Sequence, residues 1–203
     1  MKKFLAMFMA VVMMTGFAAC GSGDDKANKG NKENIESSVA LLTAVWNTYG
    51  EDERFPAVGG GGSETAEFVD NAPGKFATDS TESLDYTLGM PADSAAKIDD
   101  AASLIHMMNT NTFTCGAFHV AKSDDVKAVA DSLRDNIQKR QWMCGMPEKL
   151  IVITVDDYVI SAFGHGEPID TFKTKLLSVY QSAAVVHEED INLGGGSFAI
   201  PIG

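Results

Sequence analysis

The chain has 203 residues, 45% of them apolar and 22% charged, which suits one globular domain with a sizeable core. Its formal charge is −12, and past residue 19 it carries 14 basic against 28 acidic residues. That imbalance argues against nucleic acid or another polyanion as a partner, because phosphate binding needs a positive footprint; it reads instead as an acidic surface that keeps the domain soluble.

Residues 1–19 have the layout of a signal peptide. Lys2 and Lys3 form a positive start, Phe4 to Met14 is an unbroken apolar run, and Thr15-Gly16 breaks it. The run is eleven residues, below the roughly 20 that a spanning helix needs. Ala18 and Ala19 directly before Cys20 resemble the lipobox of bacterial lipoproteins, with Phe17 standing off the usual pattern. That resemblance implies cleavage before Cys20 and diacylglycerol on its thiol, hence a lipid-anchored, extracytoplasmic protein partnered to membrane lipid through Cys20. Two acyl chains on one residue suffice for stable anchoring. Residues 20–34, rich in Gly, Asn, Lys and Asp, cannot bury enough surface to order and read as a tether spanning about 20 Å. The domain is then 35–203.

Ile35, Val39, Leu42, Val45, Trp46 and Tyr49 recur at three and four residues and predict a helix over about Glu33 to Tyr49, stopped by Gly50. Glu51 to Asn71, with Pro56 and the run Gly59–Gly62, reads as a mobile surface loop. It is no phosphate loop, since Ser63-Glu64 follows the glycines where Gly-Lys-Ser/Thr is required. Leu84 to Met90 predicts a short helix ended by Pro91. Ile98, Ala101, Ala102, Ile105 and Met108 predict a second helix capped by Asp93 or Ser94, with His106 at the boundary of its buried face.

The organising block runs from Phe113 to Tyr180. Cys115, Ala117, His119 and Ala121 alternate with Gly116, Phe118 and Val120, as in a strand. Ser123 with Asp124 and Asp125 opens a helix of about twenty residues, with Val126, Val129, Leu133 and Ile137 on one face and Arg134, Lys139 and Arg140 toward its negative end. Leu150 to Val155 is a strand covered on both faces, Asp156-Asp157 a tight turn, and Tyr158 to Phe163 the returning strand. Pro168 suits the first position of a last helix that buries Ile169, Phe172, Leu176, Val179 and Tyr180. Glu188-Glu189-Asp190 reads as a solvated acidic patch. The apolar end after Gly194–Gly196 can dock as an edge strand or stay loose.

No catalytic constellation stands out. Cys115 at a strand start and Cys144 past the returning helix fall at one edge of the domain; they can form a disulfide, which an extracytoplasmic setting permits, or remain two small unpaired side chains. His119 lies about 13 Å along the strand from Cys115, too far to activate its thiol. His165-Gly166-Glu167 and His187 to Asp190 match no specific ligand spacing, so no metal and no cofactor is expected. Five of the ten methionines precede residue 20, and the others read as core filler rather than copper ligands. Trp46 and Tyr49 read as core contacts. The residues singled out as a candidate ligand loop are Trp46, Gly59, Gly60, His165 and Glu167.

The run from Met108 to Gly164 resembles the bacterial lipoprotein family catalogued as domain of unknown function 4358 (DUF4358). The shared features are the strand Phe118 to Lys122, Val126 with Arg134, the Pro147-Glu148 corner and the hairpin around Asp156. The likeness extends over about 84–177. The chain departs from the pattern at Cys115-Gly116, where members often carry an acidic residue, and at Met143 to Gly145, where they more often carry Tyr. No activity is established for that family, so the resemblance implies fold and location only.

The expected fold is α+β: a single domain with a small, mostly antiparallel sheet, a strand–helix–hairpin–helix core and helices packed on it, preceded by N-terminal helices. The expected function is a non-enzymatic binding or interaction module at the cell envelope. The alternatives are an envelope hydrolase or thiol enzyme whose residues converge only in the fold, and a solute-binding lipoprotein serving a transporter.

Overall fold

A computed structural model describes residues 33–142 and 145–191. The expected signal peptide, Cys20, the expected tether up to residue 32, Cys144 and the glycine-rich end lie outside the described residues. Tether positions Glu33 and Asn34 are described, and Glu33 is docked: its N–H donates to Asp156 at 2.7 Å and its carboxylate accepts from the Gln181 N–H at 3.1 Å.

In chain order the elements are α1 (Ser38–Trp46), a 3-10 turn (Glu51–Glu53), β1 (Ala57–Gly60), β2 (Phe68–Asp70), β3 (Gly74–Lys75) and α2 (Thr81–Ser83), which continues as a π-helical turn (Leu84–Leu88). There follow α3 (Ala92–Ala95), β4 (Ile98–His106), β5 (Phe113–Val120), α4 (Val126–Gln138), β6 (Lys149–Val155), β7 (Tyr158–Gly164), α5 (Gly166–Val179) and β8 (Ala184–Asp190). The eight strands form one sheet in the order β2-β1-β4-β5-β7-β6-β8, with β3 also on β4, and every strand pairing is antiparallel. The protein is a single α+β domain whose sheet is larger than the sequence implies.

Helices cover both faces. On one, α1 and α5 bury Leu41, Leu42, Val45, Trp46, Ile169, Phe172 and Leu176 against Phe113, Cys115, Ala117, Ile151 and Ile160. On the other, α4 and the helical segment 84–95 bury Leu84, Leu88, Met90, Leu133 and Ile137 against Phe118, Leu150, Val152, Val159 and Phe163. Consecutive residues of β5, β6 and β7 therefore alternate between two apolar layers, which is why these strands read as near-continuous apolar runs.

Several segments differ from the sequence reading. The second predicted helix is the central strand β4: Ala101, Ala102, Ser103, Leu104 and Ile105 are all buried, because a strand enclosed on both faces hides every residue, not every third or fourth. The first helix is shorter than 33–49. It starts after Ser37, whose side chain accepts from the Ala40 N–H at 3.1 Å, and the Ser38 N–H donates to Asp100 at 2.7 Å.

The glycine run is strand and crossing rather than a mobile loop. β1 lies on β4 at 105–106, then departs so that β3 can pair at 102–103. Gly59 is needed there because a Cβ would fall 2.0 Å from the Gly74 nitrogen. The buried Ser103 hydroxyl accepts from the Gly60 N–H and donates to the Gly60 carbonyl, each at 2.9 Å, replacing the ladder bonds lost at the divergence.

The acidic patch is the edge strand β8, paired to β6. Its charges alternate sides as a strand requires. Glu189 takes Arg134 of α4 through Nε at 3.0 Å and Nη2 at 2.7 Å, while Glu188 takes Lys173 of α5 and Lys149 of β6, each at 2.6 Å. A charged edge of this kind also discourages pairing with another chain.

Candidate functional site

The two faces are not covered equally. α4 has 13 residues and rises about 20 Å, whereas the eight residues of β5 extend about 26 Å. The helix thus ends before it reaches the start of β5, not after the twenty residues expected. Beyond its end lies a cleft of about 860 Å³. Its floor is Thr114 and Phe163, register partners on β5 and β7. Glu82, Asp85, Tyr86 and Thr87 form one wall, Arg140, Gln141 and Trp142 another, and Thr110 and Asn111 the rim. That volume lies in the range of small-molecule sites, which pair apolar walls with a few convergent polar groups.

Arg140 holds this place together. The π-helical turn ends at Gly89, which takes a left-handed φ of 82° and donates its N–H to the Asp85 carbonyl at 3.0 Å. Arg140 Nη2 donates to the Asp85 carbonyl and, at 3.0 Å, to that of Tyr86. One helical turn earlier, Asn136 Nδ2 donates to the Asp85 carboxylate at 2.7 Å and to the Gly89 carbonyl at 3.0 Å. Two residues four apart in sequence therefore clamp the turn from one direction. The guanidinium also lies 5.7 Å from the ring centres of both Trp142 and Phe163, which are themselves tilted together at 5.3 Å. Burial pulls the Arg140 pKa down, and the Asp85 carboxylate, 3.9 Å from Nη2, partly offsets this.

Hydrogen-bonding capacity is left over. A guanidinium has five N–H donors, and among the described residues only Nη2 of Arg140 is engaged. The Trp142 indole nitrogen is buried and has no hydrogen-bond partner among the described residues. An unpaired buried donor costs about 1–3 kcal/mol, so a cleft edged by such groups favours a ligand that brings acceptors.

The residues expected from sequence lie elsewhere, and none of the five candidate-loop positions lines this cleft. Trp46 is 2% exposed, packs against Tyr49 and Phe55, and donates its indole N–H to the Asn71 carbonyl at 2.8 Å. Gly59 and Gly60 belong to β1. His165 precedes α5, with its N–H on the Thr112 carbonyl at 2.9 Å, and Glu167 is exposed in the first turn of α5. A second depression of about 540 Å³ is polar and reaches the glycine run only at Gly62.

Cys115 is a free, fully buried thiol on the α1/α5 face, and burial pushes its pKa well up. Trp142 packs on the opposite face, against Phe163; Cys144, the expected disulfide partner, lies outside the described residues. His119 bonds Asp99 at 2.5 Å and Ser123 bonds Asp157 at 2.6 Å, as two separate pairs rather than a linked nucleophile and base. His187 bonds Asp131 at 2.8 Å. His106 stacks on Phe55 at the end of β4, and its Nδ1 accepts from the N–H groups of Met108 and Asn109. Among the described residues no group of three or more His, Cys, Asp or Glu is arranged to hold a metal ion, and no helix is long and apolar enough to cross a membrane.

Sequence reasoning placed Arg140 at a helix end for its charge but missed what it caps, a turn 54 positions away. The legible signal was the Lys-Arg-Gln-Trp run, a cation beside an aromatic just past a helix. No protein-family model matches the chain, nor does any curated protein or solved structure.

Proposed function

We propose that the chain is a membrane-anchored extracytoplasmic lipoprotein whose domain is a non-enzymatic binding module, with the cleft at Arg140 as its ligand site. The observation that carries this reading is the cleft itself: an aromatic-walled space of about 860 Å³ beside Arg140, whose Nε and Nη1 are unengaged among the described residues. The anchor rests on Ala18-Ala19-Cys20 after a short apolar run. A thiol enzyme would need a solvent-reachable thiolate, and Cys115 is a buried, protonated thiol.

Two experiments test the two parts. For the site, ligand-observed saturation-transfer NMR of the purified protein against a library of small polar solutes should give signals that fall in Arg140→Lys, because lysine cannot reproduce the planar fork. Signals equal in both proteins, or none, would contradict the cleft as the site. For the anchor, Cys20→Ser should abolish lipid labelling and release the protein from membranes; a processed Cys20→Ser form that stays membrane-bound would contradict it.

A further inference from the structure

The charges around the cleft are unevenly placed, and their arrangement narrows the ligand. Among the described residues Arg140 is the single cation of the lining, beside Trp142 and Phe163. Glu82 and Asp85, three residues apart where α2 runs into the π-helical turn, supply two carboxylates, that of Asp85 3.9 Å from Arg140 Nη2. Asp85 is held by Asn136 and approached by Arg140. Glu82 is exposed and makes no ion pair among the described residues. A simple monoanion would gain Arg140 but meet two carboxylates, and a simple cation would gain the carboxylates but face the guanidinium. A molecule carrying both charges a few bonds apart satisfies each group.

The neutral lining agrees. Thr110 and Gln141 bring a hydroxyl and an amide to the lining, while Tyr86, Trp142 and Phe163 bring ring faces for an apolar side chain. Tyr86 is 86% exposed at the mouth, an aromatic in open solvent beside a cleft whose other two rings are packed together.

Resting on the binding reading above, we infer that the cleft takes a small zwitterion, an amino acid or short peptide with an apolar side chain, its carboxylate on Arg140 and its ammonium on Glu82 and Asp85. The apolar side chain lies against Tyr86 and Trp142.

The test uses three matched probes by calorimetric titration of the purified protein: L-phenylalanine, phenylacetate without the amine, and phenethylamine without the carboxylate. L-Phenylalanine should bind about tenfold or more tighter than either single-charge probe, since each charge-assisted contact is worth about that factor. Glu82→Gln, an exposed change that leaves packing alone, should weaken L-phenylalanine severalfold and leave phenylacetate unchanged or improved. Arg140→Lys should weaken L-phenylalanine and phenylacetate alike.

Phenylacetate binding as tightly as L-phenylalanine, or an L-phenylalanine affinity indifferent to Glu82→Gln, would overturn the zwitterion assignment while the cleft remained a binding site. Silence from all three probes, alongside Arg140-dependent signals from the solute library, would overturn it in the same way. Silence from both the probes and the library would overturn the assignment and the binding reading together.

Discussion

The two faces of the sheet solve the same covering problem with different material. On one, α1 and α5 lie over the strands, and an aromatic chain of Trp46, Tyr49, Phe55, Phe113 and Phe172 fills the layer with ring centres 4.7 to 5.5 Å apart. On the other, only α4 is long, and short helical pieces complete the cover. The first face is sealed and the second ends in a cleft. A binding site can arise here from a length mismatch of a few ångströms between a helix and its strand, with Arg140 bracing the border.

This contrast predicts that stability and binding respond to different substitutions. The largest stability effect belongs to the sealed face: Phe172→Ala should cost about 3–5 kcal/mol in urea unfolding, since it empties a fully buried aromatic site. By contrast Tyr86→Ala, at the cleft mouth, should change stability by no more than about 0.5 kcal/mol while weakening ligand binding. A Tyr86→Ala protein that unfolds as easily as Phe172→Ala would erase the distinction.

An intermediate effect is expected at the strand crossing. Ser103→Ala removes both bonds to Gly60 inside the sheet and should cost about 1–3 kcal/mol, with faster hydrogen exchange confined to β1 and β3. Smaller again, Ser37→Ala should cost about 0.5–2 kcal/mol through the lost α1 cap. Uniform exchange across the whole sheet in either variant would contradict this assignment.

The edge strand β8 gives a pH-dependent prediction. Glu189 is held below the ordinary carboxylate range by Arg134, Glu188 by Lys149 and then Lys173, and Asp170 chiefly by Lys149. Depressed acid pKa values give stability that is complete above the unfolded values of about 4 and lost as pH falls through the native ones. Lys149 is shifted upward, chiefly by Asp170, so its contribution is complete below about pH 10 and is lost as pH rises through the native value. Amide protection factors in β8, corrected for the intrinsic rate, should therefore fall first once the pH drops below about 4, before those of β5 and β7. These pairs are partly solvent-exposed, so high salt should reproduce part of the effect at neutral pH.

How far the sequence revealed this follows from where each element gets its stability. β5, α4, β6, β7 and α5 were readable because their own side chains carry a period that matches their partners. β4 misled because Ile98, Ala101, Ala102 and Ile105 fall at helical spacing by coincidence, while Ser103 and Leu104 between them are just as buried. β8 was unreadable: its polar alternation is stabilised by Arg134, Lys149 and Lys173, distant in the chain. The glycine run took its meaning from Gly74 and Ser103, which no local pattern connects to it. The cleft was hidden for the same reason, since its walls come from residues 82–87, 110–114, 140–142 and 163.

The two tryptophans offer the most direct test, because one lies on each face: Trp46 in the sealed layer, Trp142 on the cleft wall. Single-tryptophan proteins, Trp46→Phe and Trp142→Phe, would be titrated with L-phenylalanine while indole emission is followed. The account predicts a saturable change when Trp142 is the only reporter and a flat response when Trp46 is. A saturable response from Trp46 alone would contradict a ligand site at the end of α4, and a response from neither would contradict L-phenylalanine as its occupant.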